Sequence, residues 1–162
     1  MSELLWYVAH TRPRCEKKLA LFTNREGFPT TLPCVNTVHK YSSKTVSFRK
    51  PLFPNYVFLQ LEKHQRQKVY QNDYVANLLD VPNQEEFKDQ LSDILTAIEA
   101  EFEILLAPQI TQGTQVAIKH GALRGLEGWV EKREGMCTVL LRLDFIGQAA
   151  AVKVDANDLE II

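Results

Sequence analysis

The chain has 162 residues, enough for one medium-sized domain or two small ones. Its 45% hydrophobic and 24% charged residues are typical of a globular protein, and a net charge of −1 excludes a general attraction to nucleic acid or to anionic membrane. Because no apolar run approaches about 20 residues and no signal-peptide pattern is present, we expect a cytoplasmic protein with no membrane partner.

The chain begins with the pattern of a strand followed by a helix. Residues 4–9 form a short apolar run rich in aromatics, which predicts a buried strand. Thr11 is the predicted N-cap of the helix, with Pro13 in its first turn. Gly27 is the predicted end of the helix.

Further strands and a second helix follow. β-favouring residues predict a hairpin with Ser42 and Ser43 at its tip. Asn83 and Glu86 resemble a capping box at the start of an amphipathic helix. The predicted elements are strands at 30–41, 44–49, 56–61 and 74–81, and a helix from Asn83 to Phe102. This order predicts an α+β fold in which two helices pack on one antiparallel sheet.

The pattern changes after residue 107. Residues 108–112 resemble a linker, and short alternating segments separated by glycine or charged turns come after them. Five strands are predicted, around 116–118, 128–130, 138–143, 150–154 and 159–161. Such short strands in some fifty residues indicate a small β-barrel. The predicted domains are therefore residues 1–106 and 113–162, joined by a linker at 107–112.

Charge is distributed unevenly in the first predicted domain. Residues 12–68 contain twelve Lys or Arg and three acids, a balance of +9, whereas residues 69–108 contain one Lys and nine acids, a balance of −8. A basic face that contacts nucleic-acid backbone would explain the asymmetry. A solvated surface with compensating faces is the simpler explanation, and the sequence does not decide between the two because it does not show which side chains share a face.

No arrangement of residues predicts catalysis or metal binding. Cys15, Cys34 and Cys137 are widely spaced without a CxxC pair, and the four histidines lack ligand spacing. The glycines between residues 121 and 128 lack the Gly-Lys-Ser/Thr ending of a phosphate loop. We therefore expect a protein that is not an enzyme and needs no metal or cofactor.

Three segments carry a resemblance to a known family. The Trp-Tyr strand and basic turn within residues 5–18 resemble the opening of the NGN domain of NusG-family transcription elongation factors. Residues 51–58, with two prolines and three aromatics, are similar to its second signature. Residues 113–130, with turn glycines Gly121, Gly125 and Gly128, are similar to the KOW motif. The resemblance implies an NGN-type sheet with helices packed on it, linked to a small SH3-like KOW barrel.

The family resemblance also implies partners and site residues. The NGN domain of such proteins binds the clamp helices of RNA polymerase through a hydrophobic depression and suppresses pausing; aromatic candidates here are Tyr7, Phe53, Tyr56 and Phe58. Upstream or non-template DNA would meet the cations Arg12, Arg14, Lys17, Lys18 and Arg25. Residues 65–67 lie where relatives touch the opposite pincer of the polymerase. The chain would act as a monomer whose barrel recruits a ribosomal protein or a termination factor.

Departures from the common pattern favour a specialised, RfaH-type paralogue. Asn55 replaces a glycine, Ala122 and Leu123 replace the Pro-Phe of the KOW turn, and residues 145–150 lack the usual Phe-Gly-Arg pattern. Helix-forming residues between 140 and 151 make refolding of the barrel into helices conceivable, although a stable barrel is the simpler expectation.

Two other functions remain open from the sequence. The first is a general housekeeping NusG factor. The second is a KOW-containing ribosome-associated RNA-binding protein, against which the six bases and seven acids of residues 109–162 count, since such a protein should have a basic barrel. A small enzyme is the remotest alternative.

Overall fold

A computed structural model describes residues 3–100, 102–108, 114–134 and 136–162. The chain forms two compact units that divide between Glu85 and Glu86, named here the N-terminal and C-terminal units. Within the described ranges, no helix has both the length and the apolar character needed to cross a membrane. The domain boundary at residues 107–112 stays a prediction, and residues 109–112 of that linker lie outside the described ranges.

The N-terminal unit is built on a four-stranded antiparallel sheet and a separate hairpin. Its elements are β1 (Leu5–Thr11), α1 (Glu16–Arg25), β2 (Thr30–Thr31), β3 (Cys34–Tyr41), β4 (Lys44–Pro51), β5 (Tyr56–Leu61), α2 (Arg66–Tyr70) and β6 (Val75–Asp80). The sheet has the order β2-β5-β1-β6, while β3 and β4 pair with each other and with no other described strand. The predicted hairpin and its tip at Ser42 and Ser43 are confirmed.

The core explains why β1 and β5 have nearly continuous apolar sequences. Tyr7 of β1 and Leu59 of β5 point to one face of the sheet, where Leu19 of α1 and Val69 of α2 are buried with them. Val8 and Phe58 are the alternate residues on the other face, and both are fully buried. Since side chains alternate along a strand, burial on both faces requires apolar residues at consecutive positions.

The start of α1 differs from the prediction. Thr11 is not its N-cap: Thr11 is the last residue of β1, and its N–H donates to the carbonyl of Asn55 at 2.8 Å. The helix begins at Glu16 after Cys15, which makes no capping side-chain hydrogen bond. The prediction was wrong because Arg14, with φ of 62°, extends the turn between strand and helix. The predicted ending at Gly27, with φ of 81°, is confirmed.

Residues 63–70 contain two short helical elements that sequence periodicity did not reveal. A 3₁₀ turn spans Lys63–Gln65 and is closed by a reciprocal capping box between Glu62 and Gln65. α2 follows directly, and its five residues are too few to show a helical repeat.

The C-terminal unit combines most of a long helix with a six-stranded antiparallel sheet. Its elements are α3 (Gln84–Glu99), β7 (Ile104–Pro108), β8 (Thr114–Ile118), β9 (Glu127–Glu134), β10 (Met136–Leu143), β11 (Gln148–Asp155) and β12 (Leu159–Ile161). The strand order is β12-β8-β9-β10-β11-β7. The five predicted strands are confirmed, and residues 140–151 lie mainly in β10 and β11.

The sequence pattern did not predict β7. It pairs with β11 in the register Ile104 with Val152 and Ala107 with Ala149, so a segment placed before the linker is part of the second sheet. The pairing joins residues more than forty positions apart, which no local pattern reveals.

α3 is amphipathic, as predicted, and is held to the loop after β10. Its buried residues are Phe87, Leu91, Ile94 and Ala97. The Gln90 side chain donates to Asp144 Oδ2 at 2.7 Å and accepts from the Asp144 N–H at 2.9 Å. Phe87 packs edge-on against Phe145, with 6.2 Å between ring centroids.

Candidate functional site

The aromatic segment after the hairpin has two buried rings. Phe53 and Phe58 are 1% and 0% exposed, and their rings meet edge-on at 6.2 Å between centroids. The Leu52 N–H donates to the carbonyl of Pro33 at 2.8 Å, which ties the segment to the start of the hairpin. These two candidate polymerase-binding residues therefore lie in the core.

The two candidate tyrosines lie on opposite faces of the sheet. Tyr56 is half-buried and stacks at a tilt on His10, with 5.4 Å between ring centroids. It occupies the same face of β5 as Phe58, two residues further on. Tyr7 is 4% exposed and belongs to the core on the other face. The structure therefore brings Phe53, Tyr56 and Phe58 together and places Tyr7 apart from them.

Tyr7 lies in a polar setting formed by α2 and β6. The Arg66 guanidinium lies over its ring at 5.5 Å and pairs with Asp80 at 3.0 Å. Burial raises the pKa of the Tyr7 hydroxyl, Asp80 raises it further, and Arg66 partly offsets both. Arg66 belongs to residues 65–67, the stretch that the family resemblance assigns to the opposite pincer of the polymerase. Its guanidinium makes both of these contacts within the N-terminal unit.

Asn55 joins the aromatic segment to the turn between β1 and α1. Its backbone has φ of 71°, in the left-handed region. Its carbonyl accepts from the Thr11 N–H, and its own N–H donates to Glu16 Oε2 at 3.1 Å. The Glu16 side chain is buried, so the backbone hydrogen bond satisfies a carboxylate oxygen that water reaches poorly.

We expect Asn55→Gly to leave stability nearly unchanged and Asn55→Ala to lower the free energy of unfolding by about 1–2 kcal/mol. Alanine is strained in the left-handed region, whereas glycine is unstrained there and asparagine tolerates it. Urea denaturation followed by circular dichroism measures the difference. Equal midpoints for the alanine and glycine variants would contradict this account of the turn.

The five candidate DNA-binding cations are all exposed and lie around α1. Arg12 and Arg14 occupy the turn before the helix, and the other three project from the helix. Among the residues that the structure describes, none of the five forms an ion pair. Lys18 lies over the ring of Tyr74 at 5.9 Å, which leaves its charge available. The described part of the chain therefore does not neutralise these cations.

The basic surface continues from α1 onto the hairpin. Lys17 Nζ donates to the carbonyl of Arg49 at 2.5 Å. Burial raises the pKa of the Cys34 thiol, Arg49 and Lys17 lower it in part, and Glu16 raises it. Arg49 and Lys17 therefore both lie close to Cys34, at the base of the hairpin. The sequence did not single out Arg49 as a site residue, although the absence of acids throughout β3 and β4 was a signal for this surface.

The glycine-containing turn between β8 and β9 is tightly hydrogen-bonded. The Gly125 N–H donates to the carbonyl of Ile118 at 2.8 Å, and the Ile118 N–H donates to that of Leu126 at 2.8 Å. Gly128 has another role: a Cβ there would lie 2.6 Å from the Leu140 carbonyl oxygen and 2.7 Å from Val139 Cγ1. Gly128 therefore permits the close approach of β9 and β10.

Gly128→Ala is expected to destabilise the C-terminal unit by about 1–3 kcal/mol, because the added methyl group overlaps a backbone oxygen that cannot easily move. The matched control is Gly147→Asn, since Gly147 has left-handed backbone angles that asparagine tolerates and nothing lies within 4 Å of its added Cβ. Thermal unfolding compares the two. Unchanged stability of Gly128→Ala would show that the strands are not this close.

No metal centre is formed within residues 3–100, 102–108, 114–134 and 136–162, where no three His, Cys, Asp or Glu side chains are grouped as ligands. The described N-terminal unit combines an aromatic segment with exposed cations. Tyr56 lies on the same face of β5 as the buried Phe58, and exposed cations lie along α1 and the hairpin.

Comparisons with known proteins place these features in one family. The family model described as transcription termination factor nusG matches residues 4–95, more than half of the chain. Thermotoga maritima NusG, from a structure titled "Domain interaction in Thermotoga maritima NusG", is 19% identical with a TM-score of 0.55, over 99% of this chain and 98% of that one. This likeness confirms the predicted α+β fold with a C-terminal all-β sheet.

A second solved structure, of the MjSpt4:Spt5 complex, is 17% identical over 98% of this chain and 97% of that one. Its TM-score of 0.33 is too low to indicate a shared fold. A search of the curated proteins found no match to the sequence. On the family model, which covers both the aromatic segment and the basic residues of α1, the chain belongs to the NusG family of transcription factors.

Proposed function

We propose that this NusG-family chain binds the clamp helices of RNA polymerase through the surface around Tyr56, and suppresses pausing during elongation. The observation that carries the proposal is the construction of residues 51–58. Two prolines restrict the backbone, Phe53 and Phe58 are buried, and the half-buried Tyr56 lies on the same face of β5 as Phe58. A large aromatic ring held rigidly at a surface is typical of a residue that dominates an interface.

The four aromatic residues have different parts in this proposal. Tyr56, with His10 beside it, makes the direct contact with the polymerase. Phe53 and Phe58 shape the depression from beneath, because their buried rings fix its floor. Tyr7 supports the sheet from its other face. Asn55 sets the angle at which the segment leaves the turn, through its hydrogen bonds to Thr11 and Glu16.

The cations around α1 are proposed to contact upstream or non-template DNA. They are exposed, they share one region of the N-terminal unit, and the described residues place no carboxylate close enough to pair with them. Phosphates would supply the missing counter-charge. The acids that balance the net charge lie mostly beyond residue 68 in the sequence.

The C-terminal barrel is proposed to recruit a ribosomal protein or a termination factor, as part of a monomer that acts in the cytoplasm. A near-neutral balance in residues 109–162 suits a protein partner better than RNA. We further propose a specialised, RfaH-type role. The proposed RfaH-type role rests on the departures from the common family pattern at Ala122, Leu123 and residues 145–150. Asn55 does not support it, because Asn55 adopts the left-handed backbone that a glycine would also adopt. A general NusG factor is the second candidate, favoured by the family match itself.

A pause-lifetime assay with purified RNA polymerase tests the proposed function. Addition of the full chain is expected to shorten the lifetime of a paused complex, and Tyr56→Ala is expected to require at least about 10-fold more protein for the same effect, as for a residue that dominates an interface. Leu21→Ala is the control, because Leu21 is an exposed apolar residue on α1, outside the aromatic segment. Pause lifetimes unchanged by the wild-type chain would contradict the proposal.

A further inference from the structure

Glu16 is a buried acid in an otherwise cationic part of the chain. Residues 12–25 contain five Lys or Arg and no acid other than Glu16. The cations are exposed, whereas Glu16 is only 8% exposed. An acid at this position weakens the attraction for phosphates, and the burial of a carboxylate is costly unless the group is hydrogen-bonded. The proposed DNA contact therefore does not explain Glu16.

The start of the helix explains only part of this placement. Glu16 is the first residue of α1, where the helix macrodipole favours a negative charge. An exposed carboxylate would satisfy that preference equally well. Glu16 is instead buried, and its Oε2 accepts a hydrogen bond from the Asn55 N–H at 3.1 Å. The side chain is thus directed towards the aromatic segment, residues 51–58.

Asn55 lies in the aromatic segment directly before Tyr56, the first residue of β5. Its left-handed backbone, with φ of 71°, is disfavoured for residues other than glycine. The Asn55 N–H is held by Glu16, and the Asn55 carbonyl is held by the N–H of Thr11. Thr11 uses its main chain, which any residue except proline would supply. Glu16 uses its side chain, so this contact depends on the type of residue.

We propose that Glu16 is a positioning residue for the polymerase contact, because its carboxylate fixes the backbone that presents the Tyr56 ring. A ring that is already held in its bound orientation loses less conformational entropy when a partner binds. The inference rests on the proposed function, and it assigns to a residue of the basic helix α1 a role in binding protein and not DNA.

Equilibrium titration of the labelled full chain with core RNA polymerase tests this role. Glu16→Ala is expected to weaken binding by roughly 2- to 12-fold, the equivalent of one hydrogen bond. Glu16→Gln should bind nearly as tightly as the wild type, because an amide oxygen can accept from the Asn55 N–H. Glu16→Asp should bind as weakly as Glu16→Ala, because its carboxylate is one methylene short of that N–H.

The glutamine and aspartate variants separate positioning from charge. If the negative charge of Glu16 mattered in itself, Glu16→Asp would retain binding and Glu16→Gln would lose it, which is the reverse of the expected order. Glu16→Asp also keeps the charge at the start of α1 that the macrodipole favours. It therefore tests the proposal even if Glu16→Ala does not fold.

A double-mutant cycle shows whether Glu16 acts through Tyr56. In a chain that already carries Tyr56→Ala, the further change Glu16→Ala should weaken polymerase binding no more, since the ring that Glu16 positions is gone. A general loss of structure would instead lower binding by the same factor in both backgrounds. Circular dichroism confirms that each variant is folded at the temperature of the titration.

Glu26→Ala is the matched control. It removes a carboxylate from the other end of α1, where Glu26 pairs with Lys68 at 2.6 Å, and it should leave polymerase binding unchanged. Equal polymerase affinity of the wild type and a folded Glu16→Ala or Glu16→Asp variant would overturn the inference, as would additive losses in the cycle. Both results leave the proposed function standing, whereas a wild-type chain that does not bind polymerase would overturn both.

Discussion

Phe58→Ala is expected to lower the free energy of unfolding of the N-terminal unit by about 3–5 kcal/mol, the range for truncating a fully buried phenylalanine. The side chain has no exposed surface, and its ring packs on Phe53. Removing the ring leaves a cavity on its face of the sheet, beside the buried residues Val8 and Phe53. Urea denaturation followed by circular dichroism measures the loss.

Tyr56→Ala is the matched comparison for Phe58→Ala. Tyr56 is half-buried and lies two residues away on the same strand, so its truncation should cost less stability. A stability loss below about 1 kcal/mol for Phe58→Ala would mean that the ring is not in the core. The comparison also matters for binding, because only a variant that stays folded can report on a lost contact.

Reversing three cations of α1 and its preceding turn, with Arg12→Glu, Lys18→Glu and Arg25→Glu, is expected to weaken duplex DNA binding by more than about 10-fold near physiological salt. If each cation meets one phosphate, the slope of log affinity against log salt concentration should fall by about 2.7, at about 0.9 per contact. Fluorescence anisotropy at several salt concentrations measures both quantities. All three side chains are exposed, so the fold should persist.

The control for the triple variant changes net charge equally at other exposed positions, with Lys88→Glu, Arg124→Glu and Lys153→Glu. This control should bind DNA almost as well as the wild type, because none of its residues lies on the basic surface of α1. An equal loss in both triple variants would show that overall charge, and not this surface, governs DNA binding.

Most elements were predictable because their local patterns match their burial. β1 and β5 are apolar at consecutive positions, α3 repeats its buried residues at helical spacing, and the strands from β8 to β12 alternate between turns. Three details were not predictable from local patterns. β7 exists through pairing with the distant β11, and the helix after Thr11 starts late because Arg14 takes a left-handed backbone. The short helical elements in residues 63–70 have too few residues to show a helical repeat.

The candidate site was predictable in composition but not in arrangement. The sequence identifies the aromatic segment and the cations, since both are contiguous in the chain. It does not reveal that Tyr7 lies on the opposite face of the sheet from Phe58, because that depends on the register between β1 and β5. Nor does it reveal that Arg66 pairs with Asp80, a contact between α2 and β6.

The central proposal is that the chain binds RNA polymerase through the surface around Tyr56, and equilibrium binding tests it most directly. Labelled full-length chain is titrated with core RNA polymerase, alone and on a DNA scaffold, beside Tyr56→Ala with its fold checked by circular dichroism. We predict saturable binding by the wild type and at least about 10-fold weaker binding by the variant. No binding by the wild type under either condition would contradict the proposal and favour a ribosome-associated role.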